Sequence, residues 1–80
     1  MSRHIVSHEN TTWVFGWDQM LMSFFLQVHD NDLPEEENPV VWLMKDMYEV
    51  EDLVQAAKKE GLTIGTSHRT LLYGEKDDGV

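Results

Sequence analysis

The segment from Trp13 to Val28 constrains this chain most. It holds Trp13, Phe15, Trp17, Phe24 and Phe25 around Met20, Leu21, Met22 and Leu26, with one acid and no base. From Thr11 to Trp17 the residues alternate, so Trp13, Phe15 and Trp17 share one side and Thr12, Val14 and Gly16 the other. Thr, Trp, Val and Phe all suit a pleated, half-buried surface. Trp17-Asp18-Gln19, with Gly16 beside it, reads as a tight turn. A second strand is expected from Met20 to His29, with Met20, Met22, Phe24, Leu26 and Val28 on one face. Ser23, Gln27 and His29 take the other, and Phe25 is the apolar exception there.

The rest of the chain is less apolar. Asp30 to Pro39 carries two prolines and five acids, which disfavours a regular ladder and predicts a loop. Val40 to Met44 is a short apolar run, read as a third strand. Val50, Leu53, Val54 and Ala57 then recur at helical spacing. Glu49, Glu51 and Asp52 lie at the start of that helix and Lys58 and Lys59 at its end, complementing its dipole. Gly61 suits a left-handed position after the helix, with Leu62 folding back on Ala57. The start is either a capping box from Asp46 to Glu49 or a point nearer Glu49. Thr63 to Ser67 reads as a linker, Arg69 to Tyr73 as a fourth strand and Gly74 to Val80 as an acidic tail.

The expected fold is therefore α+β in the order β-β-β-α-β. A small antiparallel or mixed sheet of three or four strands carries one helix across one face. A right-handed crossover would set the third and fourth strands parallel. Residues 1–80 form a single domain, with 1–10 and 75–80 expected to be mobile or, at the N-terminal end, to add a short edge strand.

Charge limits the partners. Fifteen acids stand against 6 bases, a formal net charge of -9. Such a chain should repel nucleic acid and anionic membranes, so no direct nucleic-acid or membrane partner is expected. No run approaches a membrane span of roughly 18 apolar residues. The Met1–Val6 segment reads as no secretion signal, and Asn10-Thr11-Thr12 matches a glycosylation triplet with no secretory context. There are no cysteines, which removes thiolate chemistry and disulfides and favours a reducing cytoplasm.

Catalytic and metal signatures are weak. No nucleophile elbow or phosphate-binding glycine loop is present. Ser67 and His68 are sequence neighbours whose side chains diverge if extended. No nucleophile–base–orienter set can be assembled, so the reading is non-enzymatic, with no cofactor. A histidine-based metal protein or enzyme, using His4, His8 and His29, is the alternative from another class. The acids Asp30, Asp32, Glu35, Glu36 and Glu37 lack the glycine and terminal glutamate of a calcium loop.

The leading expectation is a small acidic protein-interaction module, a regulator or inhibitor. Its partner surface is an aromatic patch around Trp17 and Phe25 ringed by Asp18, Glu35, Glu36 and Glu37; the plainer reading of the Trp13, Phe15 and Trp17 stripe, Trp17 included, is core under the helix. The partner would be a protein with a basic or apolar surface. A nucleic-acid mimic that occupies a basic groove is the second reading. A homodimer fits the short core.

Gly16-Trp17-Asp18 followed by Phe24-Phe25-Leu26-Gln27-Val28-His29-Asp30 resembles a pattern in small uncharacterised bacterial proteins. The likeness extends through Pro39-Val40-Val41-Trp42, Val50-Glu51-Asp52-Leu53 and Leu72-Tyr73-Gly74-Glu75-Lys76-Asp77, most of the chain. It implies a bacterial, cytoplasmic origin, on mobile DNA in one version, and carries no activity or site residue.

Overall fold

A computed structural model describes residues 3–44 and 46–78. Four strands come first: β1 (His4–His8), β2 (Thr11–Asp18), β3 (Ser23–Asp30) and β4 (Val41–Leu43). One 3-10 turn, Glu35–Glu37, lies between β3 and β4. Two helices follow, α1 (Val50–Lys59) and α2 (Thr66–Asp78). The strands form one antiparallel sheet in sequence order, β1-β2-β3-β4. The fold is α+β, as expected, but its order is four strands and then two helices.

Register places the core. Trp13, Phe15 and Trp17 of β2 stand opposite Val28, Leu26 and Phe24 of β3. These six side chains line the inner face, against Val50, Leu53, Val54 and Ala57 of α1 and Leu72 of α2. Helix α1 packs on β3 and α2 on β2. The Trp13 indole N–H donates to the Glu60 carbonyl at 3.0 Å, so its polar atom is satisfied where α1 ends.

Helix α1 follows its sequence signals. Glu49 is its N-cap and Asp52 closes the capping box, which settles the start in favour of Glu49 over Asp46. Gly61 has φ +89, its N–H donates to the Lys58 carbonyl, and the Leu62 N–H donates to the Ala57 carbonyl. Those two bonds satisfy carbonyls that a helix end leaves open, and glycine adopts the left-handed conformation without a Cβ clash.

Three expectations are corrected. Arg69 to Tyr73 is not a strand but the middle of α2. Its apolar run is too short to separate period 2 from period 3.6. In the folded chain Leu72 is buried while Leu71 and Tyr73 are exposed. Among the described residues no parallel pair forms, because both helices follow the sheet and none crosses between strands. The second long strand begins at Ser23, not Met20: Met20, Leu21 and Met22 form the hairpin turn. Asp18 dictates this, since its carboxylate accepts the N–H of Met20 at 3.0 Å and of Leu21 at 3.4 Å. At the chain ends, the segment read as 1–10 supplies β1, and 75–78 continue α2. Residues 1–2 and 79–80 of the expected mobile ends lie outside the described residues.

Candidate interaction face

The outer face of the sheet is set by the same alternation that builds the core. Ile5 pairs with Val14, Val14 with Gln27, and Gln27 with Trp42, one row across all four strands. Strand β4 turns Val41 and Leu43 toward the helix side, opposite Val28 and Leu26, so Trp42 must point outward. Its side chain is 55% exposed. Neither Val14 nor Phe25 belongs to the core cluster that the helices cover. Among the described residues, no helix lies over this face.

Phe25 stands opposite Gly16 and is 5% exposed despite facing outward. It forms the floor of a hollow of about 210 Å³ whose walls are Arg3, Asp18, Gln27, Trp42 and Met44. One cation and one anion line it. The Asp18 carboxylate is already engaged by the hairpin turn, so its role there is structural as well.

The predicted site residues divide. Phe25 and Asp18 meet in the hollow. Trp17 does not join them: it belongs to the inner face and is 2% exposed. Its ring meets Phe24 edge-on at 4.9 Å, and its indole N–H donates to the Gln19 side chain at 2.9 Å. Strand parity is the reason, since Trp17 and Phe25 sit on β2 and β3 with opposite facing. Glu35, Glu36 and Glu37 are exposed on the 3-10 turn beyond Asp30. That is the other end of the sheet, about 17 Å along β3 from Phe25 at strand rise. The acids therefore do not ring the aromatic residues. They form a pole with Glu9, Asp30 and Asp32, since the Asn31 N–H donates to the Asn10 carbonyl and ties both turns together. Asn38 clamps this end, accepting the Asp30 N–H at 2.9 Å and donating to the Asp30 carbonyl at 3.0 Å.

His4, His8 and His29 do not converge. His4 faces inward, stacked on Phe15 at 5.4 Å, with its Nε2 2.8 Å from a Glu75 oxygen. His8 is exposed beside Glu9, and His29 pairs with Gln27 on the outer face at 3.1 Å. Among the described residues no group of three or more His, Asp or Glu side chains is placed to hold a metal ion. None of their helices is long and apolar enough to cross a membrane.

Sequence reasoning missed Trp42. Its signal was the unbroken apolar run Val40–Met44: in a strand, such a run puts apolar side chains on both faces, and here the helices cover one. It also missed that His68 joins His4 at 5.3 Å and Phe15 at 5.7 Å beneath α2. Comparison of the chain with protein-family models, curated proteins and solved structures gives no match in any of the three.

Proposed function

We propose that this chain is a non-enzymatic protein-interaction module, a small regulator or inhibitor, that holds the apolar surface of a partner protein on its outer sheet face. One observation carries the reading: Trp42 stands more than half exposed on the edge strand β4, on a sheet face that no described helix covers. Trp is enriched among the residues that dominate binding energy, and a rigid strand presents it at low ordering cost. The Phe25 hollow beside it offers depth, which a flat patch lacks. A bacterial, cytoplasmic setting is part of the proposal; it rests on the resemblance through Gly16-Trp17-Asp18 and Phe24–Asp30 and on the lack of cysteine.

The test compares two tryptophans. Trp42→Ala should keep the far-ultraviolet circular dichroism of the native chain while losing the proteins that the native chain retains from a bacterial lysate. Trp17→Ala should instead lose about 3–5 kcal/mol of stability, as expected for emptying a buried Trp site. Equal capture by native and Trp42→Ala protein would end the proposal.

The acidic pole favours a second reading, mimicry of nucleic acid toward a basic groove. Six carboxylates (Glu9, Asp30, Asp32, Glu35, Glu36 and Glu37) stand at that end, on the last residue of β3 and the turns beside it, with no Lys or Arg between Asp30 and Pro39. This reading requires capture that is independent of Trp42 and lost by about 0.3 M salt, where the screening length is under 8 Å.

A further inference from the structure

We infer that the occupant of the open face is a second copy of this chain. A two-fold axis would seat the Met20–Leu21–Met22 tip of each copy in the Phe25 hollow of the other, against Trp42. The inference rests on the outer face being an interface and adds which protein covers it.

The first argument is the tip. Met20 is 95% exposed, and Leu21 and Met22 are exposed beside it. Three consecutive apolar side chains at a hairpin end are a knob without a socket in the monomer. The knob is preorganised: Asp18 holds two of its N–H groups, and the Met22 N–H donates to the Gln19 carbonyl at 3.3 Å. Little ordering cost remains on association.

The second argument is adjacency. Asp18 both caps the tip and lines the hollow. Knob and socket are therefore neighbours on one surface, and a two-fold axis between them exchanges the two. That gives an isologous contact, which closes at two copies.

The third argument is charge. The chain carries -9, so most of its surface should repel a copy of itself. The contact zone is the exception, since Arg3 and Asp18 balance there. Glu35, Glu36 and Glu37 lie at the other end of the sheet, so the same axis sends the two acidic poles to opposite ends of the pair. At a screening length of about 8 Å in physiological salt they would scarcely interact.

The fourth argument is area. The exposed apolar surface of Trp42 and Met44, together with the tip, makes up much of the ~800 Å² per partner that a standard interface buries. An 80-residue chain gains a second core this way.

Sedimentation velocity on the full chain from about 1 to 100 µM in physiological salt tests this. The native chain should move from monomer to dimer across that range. Trp42→Asp and Met20→Asp should each raise the dissociation constant at least tenfold while keeping native circular dichroism. Both positions are exposed, so a folding defect in one variant leaves the other to decide. Acrylamide quenching of tryptophan emission should fall with concentration in the native chain, because Trp42 becomes covered while Trp13 and Trp17 are buried throughout. A native chain that stays monomeric at the top concentration overturns the inference, as does a dimer that both variants leave unchanged. In either case, lysate capture that still depends on Trp42 keeps the interaction-module reading, and capture independent of Trp42 removes that too.

Discussion

Tyr48 carries the one resolved shift in acidity among the described residues. Its hydroxyl donates to Asp46 Oδ1 at 3.2 Å, and this bond, with the negative charge of Asp46, raises its pKa above the ordinary 10.0. Ionising the phenol would remove the donor and set two negative charges side by side. The folded value is raised, so the stabilisation is present below about pH 10 and is lost as pH rises through the folded value. In a Tyr73→Phe background, absorbance at 295 nm should place the Tyr48 midpoint above 10.0, and Asp46→Asn should bring it down. An unchanged midpoint in Asp46→Asn would show that the hydrogen bond is not the cause. Single residues also show what a linear chain can reveal. Gly61 was legible because a left-handed C′ position calls for one residue type, and Glu49 with Asp52 because capping has a fixed spacing. The facing of Trp17 relative to Phe25 was not, because it depends on where the β2–β3 turn begins. Asp18 fixes that turn through its side chain, and the apolar alternation runs on through Met20 and Met22 as if no turn were there.

At the scale of elements, α1 and α2 are held in different ways. Helix α1 buries Val50, Leu53, Val54 and Ala57 on one stripe. Helix α2 buries Leu72 and otherwise docks through polar and ring contacts. His4 meets Glu75, and His68 lies edge-on to Phe15. Arg69 pairs with Glu51 at 3.2 Å, and Lys76 reaches Glu49 at 3.2 Å and also donates to the Tyr48 carbonyl. Exposed ion pairs of this kind contribute little each, so Leu72 anchors the helix. This is also why α2 was invisible in the sequence. A helix is read from a repeating apolar stripe, and one buried leucine makes no stripe; Leu71-Leu72-Tyr73 suits a strand equally well. Leu72→Ala should therefore cost about 2–4 kcal/mol in urea unfolding. Hydrogen exchange should show α2 amides opening well before those of β2 and β3, with the gap widened in the variant. Equal protection of α2 and the central strands would show that the polar contacts, not Leu72, hold it.

For the whole molecule the governing quantities are a one-sided core and a net charge of -9. The one-sided core explains how far the candidate site could be read. Phe25 stood out as the apolar exception on a polar face and does lie in the hollow. Trp42 became visible as a site only once both helices were seen to take the same face, which depends on contacts far apart in sequence. Charge decides how the molecule responds to salt. The Arg69–Glu51 and Lys76–Glu49 ion pairs sit at the surface. The acids of the 30–37 end have no cation in their own loop, so repulsion should outweigh attraction in the folded state. Salt screens both, but the unfolded chain spreads its charges and suffers less repulsion. Raising sodium chloride from about 0.02 to 0.5 M, which shortens the screening length several-fold, should therefore stabilise the fold. An effect of about 1 kcal/mol would raise Tm by roughly 4–8 °C in a domain of this size. Replacing Glu35, Glu36 and Glu37 together with Gln should raise Tm at low salt and flatten its salt dependence. The protein should be held at a few micromolar in these melts, so that the proposed self-association would not add a concentration-dependent rise of its own. A Tm that falls with salt would mean that the Arg69–Glu51 and Lys76–Glu49 pairs outweigh the acidic pole.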